Sequence, residues 1–302
     1  MSRREERKVR AAQRTRRRIL SLGVGGFLGL AALWGIRQLV VGGGVAGGPA
    51  ISRLTTADFH SLAFSAASPD TVFFGHHGGL KVSRDGGRTW QDATLRNADA
   101  MALAAPASNP NVMYAAGHNV FFRSEDGGRT WTEVQSNLPG LDIHAFAADP
   151  ENGEVVYAFV VGFGLFRSED GGTTWGLRSP SVSPVGLAVG ETLDIVYAAA
   201  GDFGVARSDD GGRTWERTGG PRGAALAIAF DGAGGRLYVS VTGDRPGLYV
   251  SEDSGATWLA LDLTGTFVAI AVSPLDPDRL VVVDQAGWVY ASRDGGKTWT
   301  DS

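Results

Sequence analysis

The sequence contains five histidines, His60, His76, His77, His118 and His144, confined to less than a third of its 302 residues. Asp58 and Asp142 each stand two residues before one of them, and Asp202, Asp244 and Asp284 lie further along the chain. Imidazoles that converge with carboxylates suit a divalent transition metal such as zinc, or a general acid/base site, because both groups offer lone pairs near neutral pH. His76, His77, His118 and His144 are the expected metal ligands, and Arg222 and Arg245 would add an anion-binding element. The competing reading is that the histidines only cap strand ends by hydrogen bonds. Their spacing matches no metal motif, so convergence depends wholly on the elements that carry them.

Those elements are set by a repeat. SRDGGRTW from Ser83 returns as SEDGGRTW from Ser124, SEDGGTTW from Ser168, SDDGGRTW from Ser208, SEDSGATW from Ser251 and SRDGGKTW from Ser292. The tryptophans Trp90, Trp131, Trp175, Trp215, Trp258 and Trp299 are 41, 44, 40, 43 and 41 residues apart. A period near 40 marks a radial or stacked repeat. Asp85, Asp126, Asp170, Asp210 and Asp294 each precede Gly-Gly and Asp253 precedes Ser-Gly, where the carboxylate can accept backbone N–H groups while glycine supplies positive φ. The tryptophan then opens a strand and is large enough to seal the gap to a neighbouring unit.

Each repeat has the same plan. An Ala-rich strand such as HSLAFS or HAFAAD comes first and suits the crowded wall of a central channel. A second strand such as VMYAAG, a third such as VFFRS, the box turn and a fourth strand follow. Four strands in six repeats give an all-β, six-bladed β-propeller over residues 58–302, with four-stranded antiparallel blades. Chain direction alternates, so the box turns share a face with the first-to-second turns. The second-to-third turns and the links between blades share the other face, where all five histidines and Asp202, Asp244 and Asp284 should fall. The boxes are therefore expected to be structural. The chain stops three residues after Trp299, and residues 51–57 are expected to close the ring, since an open edge strand is a liability.

The pattern Ser-x-Asp-x-Gly-x-Thr-Trp resembles the Asp-box (BNR) repeat of sialidases, sortilin-type receptors, two-propeller xyloglucanases and photosystem II assembly factors. The stretches FHSLAFSAASPDTVFFGHHGGLKVSRDGGRTW and LDIHAFAADPENGEVVYAFVVGFGLFRSEDGGTTW look like bacterial exported Asp-box proteins often labelled glycosyl hydrolase-like and, more loosely, like the assembly factors. The resemblance implies a β-propeller. It implies no single activity, because the relatives share the box and not a chemistry. The assembly-factor likeness implies a scaffold that binds a partner protein at a membrane surface, although those factors usually have seven blades. The sialidase likeness implies a hydrolase of glycans. It would require Phe-Arg-Ile-Pro, which does not occur, and one special tyrosine, whereas Tyr114, Tyr157, Tyr197 and Tyr238 hold one repeated second-strand position expected to be core. No glutamate can be placed at the histidine-bearing channel mouth. Arg123, Arg167 and Arg207 precede box serines and are expected to be solvated or between blades.

Charge divides the chain unevenly. Residues 2–18 hold nine Arg or Lys against Glu5 and Glu6, while everything after residue 41 holds 18 basic and 30 acidic residues. An acidic body argues against a nucleic-acid partner. Cysteine is absent, which excludes disulfides and thiolate sites. The basic tail, residues 1–18, precedes an apolar run over residues 19–41 that is long enough for one membrane crossing, and the cationic flank should stay in the cytoplasm. Residues 42–57 read as a Gly-rich linker with the closing strand at its end. Two readings remain: a single-pass signal anchor with the propeller extracytoplasmic, or a twin-arginine export signal, read from Thr15-Arg16-Arg17-Arg18-Ile19-Leu20, with cleavage after Ala46 or Ala50 and a secreted or periplasmic product. The expected partners are thus the membrane, through this segment, and a protein or glycan on the propeller face.

Overall fold

The computed structural model describes residues 48–299. They form six four-stranded antiparallel sheets, five of them built from four strands consecutive in sequence and the sixth from the last three strands and the first. The inner strands are Ser61–Ser65, Asp99–Ala104, Ile143–Ala148, Gly186–Val189, Ala225–Asp231 and Phe267–Val272, and each contacts the next in a closed cycle. Small side chains at Ala63, Ala102, Ala145, Ala188, Ala227 and Ala269 are buried there. They allow six strands to crowd around one axis.

The ring closes between the two ends of the described chain. Ser52 and Arg53 pair with Val289 and Trp288, taking the outermost place in the sixth blade. The Ile51 N–H donates to Val289 and the Leu54 N–H to Gly287, each at 2.8 Å. The segment expected from the sequence to close the ring does so through two paired residues. The apolar run at 19–41 lies outside the described residues, and within them no helix is long and apolar enough to cross a membrane.

The boxes hold their turns by one repeated network. In all six, the serine Oγ donates to the aspartate at 2.7–2.9 Å and accepts the N–H of the second glycine position at 2.8–2.9 Å. The other carboxylate oxygen accepts the threonine hydroxyl, as at Asp210 and Thr214, 2.6 Å. These bonds, the Thr hydroxyl first, hold the carboxyls of Asp126, Asp170 and Asp253 down at about 2. Ser254 replaces the first glycine of the fifth box and still adopts φ 57°, so the turn imposes that conformation on a residue that disfavours it.

Box and core also join blade to blade. Tyr114 donates to Gly153 at 2.9 Å and Tyr157 to Leu193 at 2.7 Å, each reaching the next blade. Arg123 grips Glu154 with two bonds of 2.6 and 2.9 Å, Arg167 pairs with Asp194, Arg236 with Asp278, and Arg279 with Asp70. The row of tyrosines is core, fully buried, with burial pushing their hydroxyls up to about 12.

Candidate functional site

At the end of the channel away from the boxes, one residue per blade faces the axis: His60, Met101, His144, Val185, Leu226 and Val268 line a cavity of about 80 Å³. In four blades this residue is the extra one of a β-bulge, because pairing skips it between Ala100 and Ala102, Ile143 and Ala145, Ala225 and Ala227, and Phe267 and Ala269. A bulge turns a side chain out of the ordinary alternation. His144 is aimed at the channel mouth in this way.

Two residues before that position, blades 1 to 3 carry an aspartate: Asp58, Asp99 and Asp142. Together with histidines from the second-to-third turns they form one continuous ribbon. His60 Nε2 lies 3.6 Å from Asp58, too long for a hydrogen bond. Asp58 accepts the backbone N–H of His77 at 3.0 Å and pairs with His77 Nδ1. His77 Nε2 is 3.4 Å from Asp99, whose same oxygen meets His118 Nδ1 at 2.5 Å. His118 Nε2 then stands 3.0 Å from His144 Nε2 and 3.3 Å from Asp142, and His144 Nε2 is 2.9 Å from Asp142. His60 Nε2 and Asp99 Oδ1 are buried with no hydrogen-bond partner. Burial lowers His60 to about 4 and lowers His144, so both are neutral near pH 7. Lone pairs are thus plentiful and positive charge is scarce. Overlapping triads with metal-ligand donors result: Asp58, His60 and His77; His77, Asp99 and His118; His118, Asp142 and His144.

Other residues expected at the site stand apart from the ribbon. His76 turns away, stacking on Phe74 with centroids 6.0 Å apart and accepting the Gly78 N–H at 3.0 Å through Nδ1. His76 is the last residue of its strand, whereas His77 opens the turn that follows. Asp284 is buried and caps its own turn, accepting the N–H groups of Ala286 and Trp288 at 2.8 and 2.9 Å. Burial raises its carboxyl. Asp202, Asp244, Arg222 and Arg245 are exposed in blades 4 and 5 or the link between them, and no contact ties them to the histidines. Asp99 was not among the residues singled out from the sequence. Aligning Asp58-x-His60, Asp99-x-Met101 and Asp142-x-His144 as one repeat position would have marked it.

A larger cavity, about 400 Å³, opens on the opposite, box-bearing face, lined by the ends of the inner strands and their turns. Its buried acids serve the backbone: Asp149 accepts the N–H groups of Glu151 and Asn152, and Asp231 those of Ala233 and Gly234.

Residues 51–203 match the family described as photosynthesis system II assembly factor YCF48. Among solved structures, the chain is similar to the GH74 enzyme of Niastella koreensis at 20% identity, covering 84% of this chain and 46% of that one, with TM-score 0.61. The GH74 xyloglucanase from Xanthomonas campestris gives 18% identity, 83% and 46% coverage and TM-score 0.57. A structure of YCF48 bound to D1 peptide gives 20% identity, 85% and 84% coverage and TM-score 0.49. The chain spans about half the length of those GH74 enzymes, and at these identities the likeness speaks for the fold. No curated protein matches the chain in sequence.

Proposed function

We propose that this chain, which belongs to the photosynthesis system II assembly factor YCF48 family, is a membrane-tethered, extracytoplasmic scaffold that holds a protein partner on the histidine face of its propeller. One observation carries the choice of face. Phe163 and Phe203, 49% and 50% exposed, stand in second-to-third turns around the histidine-bearing mouth, and Trp288, 41% exposed with the Arg53 guanidinium 4.9 Å from its ring, opens the third strand of the sixth blade at the same end. Among the described residues these are the large aromatic side chains left to solvent. Exposed aromatics around a polar centre are what an interface buries most profitably. The family supplies the class of role, assembly through protein contact. The tether rests on the basic tail and apolar run that precede the propeller.

The hydrolase alternative draws on the GH74 likeness, which is one of fold. A glycosidase needs a protonated carboxylic acid opposite a free carboxylate. On the histidine face the carboxylates of blades 1 to 3 are instead engaged by imidazoles.

The test is co-purification of the tagged full-length chain from the membranes of its own cell. A protein retained by wild type and by Leu275→Ser, on the box face, should fall at least about tenfold in Phe163→Ser/Phe203→Ser, as loss of two central anchors would require. Equal retention by both variants would overturn the assignment of the face. Fractionation checks the tether: full-length chain in the membrane pellet is expected, and a soluble form starting near residue 47 or 51 would replace the anchor with an export signal.

A further inference from the structure

Three triads overlap along the ribbon, and distance separates them. A tetrahedral ion with bonds of about 2.0–2.1 Å holds its ligand atoms roughly 3.3 Å apart. The Asp58, His60 and His77 triad has one contact at hydrogen-bond closeness and one at 3.6 Å. In the central triad, His118 Nδ1 and Asp99 at 2.5 Å are a charge-assisted hydrogen bond, too close to be two ligands of one ion. In the third, the edges His144 to Asp142, His118 to His144 and His118 to Asp142 are 2.9, 3.0 and 3.3 Å. That triangle is already near one face of a metal tetrahedron.

We propose that His118 Nε2, His144 Nε2 and Asp142 Oδ1 bind one divalent transition ion of the zinc class, with Asp99 as the positioning residue that holds His118 through its other ring nitrogen. Each part of a zinc site has a counterpart. Two imidazoles and one carboxylate form an open set of three ligands. A carboxylate behind one imidazole fixes its tautomer and orientation, as is usual for metal-bound histidine. The His118 Nδ1–H donates to Asp99, which leaves Nε2 with its lone pair facing His144 Nε2. His144 Nε2 and Asp142 Oδ1 stand 3.0 and 3.3 Å from that nitrogen, so three donor atoms converge on one point. Asp142 is 48% exposed on its side chain and His118 38%, so the fourth coordination position faces solvent. On the proposed function that is the partner's side, where a carboxylate or imidazole of the partner would complete the tetrahedron; this clause alone rests on that reading. The ribbon occurs in blades 1 to 3 only, so the propeller carries one such site in six repeats.

The competing account of the short His118 to His144 distance is a hydrogen bond between the two rings, the Nε2–H of one imidazole donating to the Nε2 of the other. The experiment that decides is metal titration of the purified full-length chain in mild detergent, after chelator stripping, with Zn²⁺ and Co²⁺ and no partner present. Wild type should bind one equivalent, and cobalt should give the intense visible band of a four-coordinate ion. Affinity should fall more than about a hundredfold in His144→Gln and in Asp142→Asn, and about 10- to 100-fold in Asp99→Asn, the range for loss of a carboxylate behind a metal-bound histidine. His76→Ala and His60→Gln should bind as wild type. Asp142 is half exposed, so its variant should keep the near-ultraviolet spectrum of the tryptophans and remain interpretable. No bound equivalent in wild type, undiminished binding in both Asp142→Asn and His144→Gln, or loss in His60→Gln would each overturn the site. Because the titration uses the chain alone, its failure leaves the co-purification result standing, and failure of co-purification leaves the metal count standing.

Discussion

The two ends of the propeller are built by opposite rules. On the box face the same serine, aspartate, threonine and tryptophan recur in all six blades with nearly the same bond lengths, and arginines tie neighbouring blades together. On the histidine face the residues that could do chemistry occur only in blades 1 to 3: His60 and His144 hold the channel position of blades 1 and 3, while Met101, Val185, Leu226 and Val268 hold it in blades 2, 4, 5 and 6. A feature required by the architecture must appear in every blade. A feature that breaks the repeat has to be explained by something other than the fold. The loud signal thus marks structure and the quiet asymmetry marks the candidate site.

This contrast can be broken by mutation. The largest effect is expected for Trp299→Ala, which empties the place of a fully buried indole at the closing blade. It should cost about 3–5 kcal/mol in urea unfolding. Ser208→Ala leaves the buried Gly212 N–H without its 2.8 Å acceptor and should cost about 1–3 kcal/mol. The corresponding change at the other end, Phe203→Ser, removes an exposed side chain and should move stability by no more than about 0.5 kcal/mol. A Phe203→Ser cost as large as that of Ser208→Ala would make the histidine face structural as well.

Acid separates the ends by pH. His60 is held near 4 by burial, below the ordinary histidine value of about 6.5. The unfolded chain therefore takes up a proton that the folded one refuses, and stability should fall as pH drops from about 6.5 to 4. The box carboxyls of Asp126, Asp170 and Asp253 are held at about 2, so their contribution is complete above about 4 and is lost between about 4 and 2. Urea midpoints against pH should show both limbs. His60→Gln should make the upper limb shallower and leave the lower one, and Asp126→Asn, which removes one of several box carboxyls held low, should make the lower limb shallower and leave the upper one.

Much of the fold was legible from sequence because Ser-x-Asp-x-Gly-x-Thr-Trp encodes a turn, a strand start and a spacing at once. The closing segment was legible because the last blade lacked a fourth strand. The site was half legible. Histidine content and strand order placed His60, His77, His118 and His144 at one mouth, and Asp58 and Asp142 beside them. His76 stands apart from the ribbon although it adjoins His77, because it ends its strand and stacks on Phe74 while His77 lies in the turn. Asp99 was missed because it lacks a histidine two residues on, and the bulges that aim His144 leave no mark in residue type. Asp284 resembled the site's acids by position, yet its burial and its two backbone bonds make it a turn cap.

The most direct measurement of the central claim is photo-crosslinking of the full-length chain in its own membranes, with the photoreactive residue at position 203 in one experiment and at position 275 in the other. Both positions are exposed, one on each end of the propeller. The account predicts a discrete protein adduct from position 203, lost when Phe163→Ser is added, and none from position 275. An adduct formed from position 275 and absent from position 203 would contradict it.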